Sequence, residues 1–158
     1  ALSANDDGSF TPDPTLDASI YAVFYLGCFD ANDPIVVSTM DKIRARLLND
    51  TAISGIVRFE NDGYMRGAEP SPPNSWIITT LWLADYYIAA AKQIDDLAKA
   101  LNILKWTVDR ALPSGVLAEQ IDPLTGEPRS VSPLTWSHST FVATVNSYLS
   151  KKKSFETN

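Results

Sequence analysis

Glu119 and Gln120, adjacent in the stretch Pro113-Ser-Gly-Val-Leu-Ala-Glu-Gln-Ile-Asp122, have the residue types of a water-activating site. A carboxylate held ionised can take a proton from an attacking water, and an amide beside it can steady its geometry. Pro113 and Gly115 break a long helical pattern just before the pair, so the carboxylate belongs to no helical salt-bridge ladder. On spacing alone, such a loop carboxylate is more often a solvated charge. Upstream, Arg58, Glu60 and Asp62 crowd together and Trp76 follows; Trp136 lies downstream. A guanidinium donates several hydrogen bonds from one plane, and an indole offers a flat apolar face with a polar edge. Carboxylate, guanidinium and indole together suit a neutral, flat-faced ligand such as a sugar. Each also has a plainer reading: Arg58 as the ion-pair partner of Glu60 or Asp62, and Trp76 as a core residue at helical spacing, which is how Trp82 is read.

Composition narrows the field. A chain of 158 residues is long enough for one domain with a sizeable core. A net charge of −6 and a pI near 4.6 argue against a nucleic-acid partner, because little here would neutralise a run of phosphates. Lys151-Lys152-Lys153, the only basic cluster, suits the end of a helix. Cys28 is the only cysteine, so it forms no internal disulfide and is expected to be buried and inert. With a single histidine, His138, the chain has no usual zinc set, and neither metal nor cofactor is expected. His138, on an apolar helix face, reads as a satisfied core histidine. No apolar run reaches the roughly 18 residues of a membrane span. The N-terminal residues lack the charged-then-apolar pattern of a signal peptide.

The elements that must position these residues read as helices. Residues 1–14 are polar and punctuated by Gly8, Pro12 and Pro14, and are expected to be a lead-in loop. Thr15 is placed to cap a helix running to about Cys28. Pro34 opens a second helix, on Val36, Met40, Ile43 and Leu47, with Arg44 and Arg46 on its wet face. Ile53 to Glu60 is short and β-branched, an expected strand or extended segment. Glu69-Pro-Ser-Pro-Pro-Asn-Ser75 cannot be helical. A third helix at 75–92 carries Ile77, Leu81, Ala84, Ile88 and Ala91, broadened by Trp82, Tyr86 and Tyr87 into an element buried on more than one side. A fourth runs from Leu97 to Leu112 and a fifth from about Pro133 to Lys152, with a frayed tail after it. The chain therefore reads as all-α helical hairpins separated by two long loops, 50–75 and 113–132. Structureless loops of that length in a compact domain are usually functional. Hairpins packed side by side send both loops to one end, which would gather Arg58, Glu60, Asp62, Glu119 and Trp136.

Four segments then converge on a known family. Arg58-Phe-Glu-Asn-Asp-Gly-Tyr64, Asn74-Ser-Trp-Ile-Ile-Thr-Thr-Leu-Trp82, Gly115-Val-Leu-Ala-Glu-Gln120 and Ser132-Pro-Leu-Thr-Trp-Ser-His138 resemble, in order, glycoside hydrolase family 15, in its bacterial glucoamylase and glucodextranase branch. The resemblance covers roughly residues 14–150. It implies an (α/α)6 barrel of twelve helices, of which this chain would supply the C-terminal part as a single segment. It implies release of glucose from the non-reducing ends of α-glucans with inversion. By motif, Glu119 matches the general base, and Arg58 the arginine that holds hydroxyls of the terminal glucose. Trp76 matches a tryptophan on the aglycone side, and Trp136 one in the pocket wall. Glu60 stands where fungal members have proline, and Ser137-His138 where they have Ser-Tyr; both suit the bacterial branch. Glu60 and Asp62 are further candidates for sugar contact.

Inverting hydrolysis needs two carboxyl groups, about 6.5–9.5 Å apart, one charged and one protonated. In the family the acid lies in an upstream Trp-Glu motif, and no Trp-Glu pair occurs in these residues. The expected partners are therefore an α-glucan oligosaccharide or polysaccharide and the N-terminal part of the barrel, which would also cover an apolar face of the helices. Glu60 as an internal acid is an alternative that the resemblance disfavours. The trehalase branch, and a non-catalytic glucoamylase-like regulatory module, are the rival functions. A polymeric substrate would imply secretion; short oligosaccharides would not.

Overall fold

In the computed structural model the described residues form five α-helices: α1 (Ala22–Tyr25), α2 (Pro34–Leu47), α3 (Ile77–Ala90), α4 (Ala98–Val108) and α5 (Thr135–Glu156). Residues 2–68 and 70–157 are described. Ala1, Glu69 and Asn158, which fall in the expected lead-in, proline-rich loop and tail, lie outside the described residues. A separate hairpin pairs β1 (Leu2–Ala4) with β2 (Phe10–Pro12), and β3 (Ser75–Trp76), β4 (Gln120–Ile121) and β5 (Pro128–Arg129) form an antiparallel three-stranded patch.

The α3 helix is the axis on which the rest packs. Eleven of its fourteen residues are buried, which explains why its apolar pattern runs round more than one face. One side of it packs with Val36, Met40, Ile43 and Leu47 of α2 and Phe24 of α1; the other packs with Ala100 and Leu104 of α4 and Phe141, Val145 and Tyr148 of α5. Each fully buried aliphatic side chain here contributes about 1.5–3 kcal/mol. α3 and α4 form an antiparallel hairpin, and α5 returns along α3, so α3 and α5 both begin at the loop end. These are the helical hairpins of part of an (α/α)6 barrel.

Several local expectations are corrected. The first helix is split into a 3-10 turn at Ala18–Tyr21 and the short α1, and its cap is Asp17, whose side chain accepts from Ser19 N, rather than Thr15. The reason is long-range: Asp17 bridges to Phe59, and Ala18 N donates to Arg58 O at 2.8 Å, so residues before 18 are held extended. The lead-in is not a plain loop, since it contains the β1–β2 hairpin, turned at Gly8 with φ +80°. α4 stops at Val108, where Arg110 and Ala111 tighten into bonds three residues back and Leu112 N pairs with Val116 O. The tail is helical to Glu156, because Phe155 packs beside Ile88 and Ala91 and Lys152 pairs with Glu156 at 3.4 Å. Cys28 is exposed, not buried.

The extended segment 53–60 becomes no full strand. It is strapped across the start of α3 by single bonds. Thr79 Oγ1 donates to Ile56 O at 2.7 Å, Ile56 N donates to Thr80 Oγ1 at 2.9 Å, and Trp76 N donates to Ile56 O at 2.9 Å. The strap needs glycine at 55: φ is +99°, and a Cβ there would meet Ser75 Cβ and Trp106 Cζ2, each at 2.7 Å. Val108, Val142 and Leu149 are exposed, and an apolar groove of about 350 Å³ runs between α4 and α5. No helix of the described residues is long and apolar enough to cross a membrane.

Candidate active site

The strap delivers Arg58 to the mouth of α3, and a buried carboxylate fixes it there. Arg58 Nε and Nη2 donate to Asp62 Oδ2 and Oδ1 at 3.1 and 2.9 Å. Asp62 Oδ2 also takes the Trp76 indole N–H at 3.1 Å, and Oδ1 takes Tyr64 N at 3.0 Å. Asp62 is 2% and Trp76 3% exposed, so within this chain both stand behind Arg58. A fork-to-fork pair of this kind fixes the guanidinium plane as well as its position. That plane lies 4.5 Å over the Trp76 ring and 5.5 Å from the Tyr64 ring. Arg58 keeps its Nη1 without a partner among the described residues, at a side chain 35% exposed.

Glu119 is brought to the same corner by β-pairing. Trp76 pairs with Gln120 and Ser75 with Ile121, so the loop carrying Glu119 lies against the residues that open α3. Glu119 N donates to Val131 O at 2.9 Å, and Glu119 O accepts from Ile77 N at 3.2 Å, satisfying one of the orphan donors of the first turn of α3. From the other side the start of α5 holds the loop. Ser137 Oγ donates to Ala118 O at 2.7 Å, Leu117 N donates to His138 Nε2 at 3.0 Å, and Leu134 N donates to Leu117 O at 3.1 Å. His138 is thus a satisfied histidine that fixes the backbone two residues before Glu119. The Glu119 side chain is half-buried and accepts Gln120 Nε2 on Oε2 at 3.0 Å; Oε1 has no partner among the described residues. Such a carboxylate can hold a water on its second oxygen.

The other two sequence candidates part company with this corner. Glu60 Oε2 accepts Leu16 N at 2.9 Å, and its Oε1 forms an ion pair with Arg46. Both oxygens are committed to joining the lead-in to α2, so the structure does not bring Glu60 into the Arg58 group. Trp136, at the start of α5, is half exposed, and its ring lies 5.9 Å from that of Trp82, which is stacked on Tyr21 at 4.2 Å. These rings and Asp85 line a cavity of about 320 Å³ on the flank between α1, α3 and α5. Trp82, expected in the core, is buried but forms the floor of this strip.

Two residues were not singled out from sequence. Asn74 is 1% exposed and bonds across the loops to Gln120. Asp85 is buried on α3, and burial pushes its carboxyl up to about 6. Its signal was present, an acid inside an otherwise apolar helix. Asn74 gave none beyond lying next to the Ser75-Trp76 pair. Among the described residues no group of His, Cys, Asp and Glu could hold a metal ion.

Three comparisons bear on this arrangement. The model of the family Glycosyl hydrolases family 15 matches residues 6–146. An uncharacterized glycosyl hydrolase of Methanocaldococcus jannaschii is 32% identical over 82% of this chain and 21% of its own length. A trehalase of Thermoplasma volcanium is 27% identical over 78% of this chain and 18% of its own length. A crystal structure of a bacterial glucoamylase complexed with acarbose superposes with a TM-score of 0.76 and 26% identity, over 96% of this chain and 23% of that one. A metal-independent α-mannosidase of Streptococcus pneumoniae shares the fold, with a TM-score of 0.64 at 17% identity, over 95% of this chain and 35% of that one. The chain spans about a fifth of the length of the curated relatives it matches.

Proposed function

The chain belongs to glycosyl hydrolases family 15, and on that premise we propose that it supplies the general base and one wall of the sugar pocket of an inverting, exo-acting α-glucosidase. Glu119 is the base. Its Oε2 is held by Gln120, and its Oε1 takes the proton of the water that attacks the anomeric carbon. Arg58, its plane set by Asp62, offers Nη1 to hydroxyls of the terminal glucose, and Trp76 stands beside it on the aglycone side. Trp136 extends the wall along α5. Asp62 acts through Arg58 and Trp76 as a positioning residue. The acid belongs to the remainder of the barrel, as does the surface that covers the groove between α4 and α5.

The observation that carries this reading is the meeting of Glu119 with the Arg58–Asp62–Trp76 corner through the Trp76 and Gln120 pair. The test is Glu119→Gln in the full-length protein, assayed on maltose, isomaltose, trehalose and soluble starch. Glucose release is expected to fall by about 10²–10⁴-fold, the usual weight of a general base. Unchanged release would show that Glu119 is not the base, and no release from the native protein on any of these substrates would leave a non-catalytic module. The likeness to a trehalase favours a second reading, in which the same base serves trehalose. The substrate panel separates the two: activity confined to trehalose supports the second reading.

A further inference from the structure

We propose that Asn74 is a positioning residue for the base: anchored on a backbone carbonyl, it sets the direction of the Gln120 amide so that Glu119 meets an N–H rather than another oxygen. This deepens the assignment of Glu119 and rests on it. Three contacts form the relay. Asn74 Nδ2 donates to Met65 O at 2.9 Å and to Gln120 Oε1 at 2.7 Å, and Gln120 Nε2 donates to Glu119 Oε2 at 3.0 Å.

The polarity of this relay is fixed at one end. The two ends of a side-chain amide are alike in shape, and only its partners decide which way it points. A backbone carbonyl can only accept, so the Asn74 atom facing Met65 O has to be its NH2. That same NH2 faces Gln120, so it has to meet Oε1, and Nε2 is thereby turned to Glu119. Both amides are buried, Asn74 at 1% and Gln120 at 0% exposure, so bulk water cannot substitute for a misplaced partner. Their backbones are held independently, by the pairing of Ser75 with Ile121 and of Trp76 with Gln120. Met65, in a left-handed conformation with φ +54°, supplies the fixed carbonyl.

The chemical consequence follows from which form of Glu119 each orientation favours. An N–H facing a carboxylate stabilises the charged form, and a carbonyl oxygen there favours the protonated one. A base that must be ionised when water attacks therefore depends on a polarity set one side chain further back, in a loop of its own.

The test is the acid limb of the kcat/KM–pH profile of the full-length protein, which reports ionisation of the base. Asn74→Asp replaces the donor with an acceptor and turns Gln120 round. The limb is expected to move up by roughly one pH unit, with kcat/KM on the acid side falling about tenfold. The new charge would raise the limb by itself, so the decisive comparison is made in Gln120→Met, which has no amide to turn. There Asn74→Asp is expected to add only a small remainder of the shift. Equal shifts in both backgrounds, or none in either, overturn the proposal. If Asn74→Asp does not fold, Asn74→Leu reads the same relay without a charge. It lets Gln120 adopt both directions, so it is expected to raise the limb by less in the native background and not at all in Gln120→Met; an unmoved limb in the native background overturns the proposal. Glu119→Gln keeps the two claims apart. If that variant retains activity, the base assignment falls; if it loses activity while the Asn74 variants leave the limb in place, only the relay falls.

Discussion

Asp62 and Asp85 are both buried acids, yet the protein treats them in opposite ways. At the loop end of α3, Asp62 takes four donors: two from Arg58, one from Trp76 and one from Tyr64 N. Its charge is matched where it stands, and it organises the groups around it. On the flank, Asp85 sits among Tyr21, Tyr25, Trp82 and Trp136, in no ion pair among the described residues. There burial decides, and it pushes the carboxyl up to about 6. A buried carboxylate costs little when bonded on every lone pair and several kcal/mol when it is not. The loop end is thus a finished polar site. The flank carries an acid that burial makes harder to ionise, beside aromatic rings.

The largest expected break in this contrast is Asp62→Ala. It strands the Trp76 N–H and frees the Arg58 plane, so denaturant unfolding should show a loss of about 2–4 kcal/mol. Activity should fall with it, and Asp62→Asn, which keeps the shape and half the acceptors, should lie between. A loss under about 0.5 kcal/mol would make Asp62 as dispensable as a surface charge.

Asp85→Asn should do the reverse. The folded carboxyl titrates near 6 and the unfolded one near 3.8, so its contribution is fully present below about pH 4 and is lost as pH rises through about 6. The neutral amide removes that loss. The variant should be more stable than the native protein at pH 7, by on the order of 1–3 kcal/mol, and no different near pH 3.5. Thermal melts across pH 3.5–7 check it, and a destabilised variant at pH 7 would show that Asp85 has a charged partner after all.

The smallest effect is expected at Trp136→Ala, because its ring is half exposed and packs at an angle against Trp82. Stability should change by about 1 kcal/mol or less. If Trp136 serves as pocket wall, KM in the full-length protein should rise while the melting curve barely moves.

Much of the site was legible because its motifs are local. Arg58 and Asp62 are four residues apart, so residue type and spacing proposed their pairing, while Glu119 beside Gln120 was proposed as a base only once the motifs around it resembled the family. Helix α2, opened at Pro34 and capped by Asp33, was also written in its own residues. What failed was whatever hung on distant partners. Glu60 looked like a member of the Arg58 cluster, but Arg46 and Leu16 N claim it. The first helix had the right apolar spacing, but pairing with residues 58 and 59 unwound its start. The β1–β2 hairpin was hidden because all six of its residues are exposed, and so no alternation of apolar and polar faces marks it.

By itself the sequence determined the helical hairpins, the two long loops, and a carboxylate and a guanidinium placed in those loops, because periodicity and helix-breaking residues act within a few positions of themselves. The tertiary structure decided which polar groups face one another. Asn74 and Gln120 lie 46 positions apart, and neither has a preferred direction until a backbone carbonyl and a paired strand supply one. A buried amide or carboxylate takes its role from the partner across the loop, and that partner is chosen by packing rather than by the residue beside it.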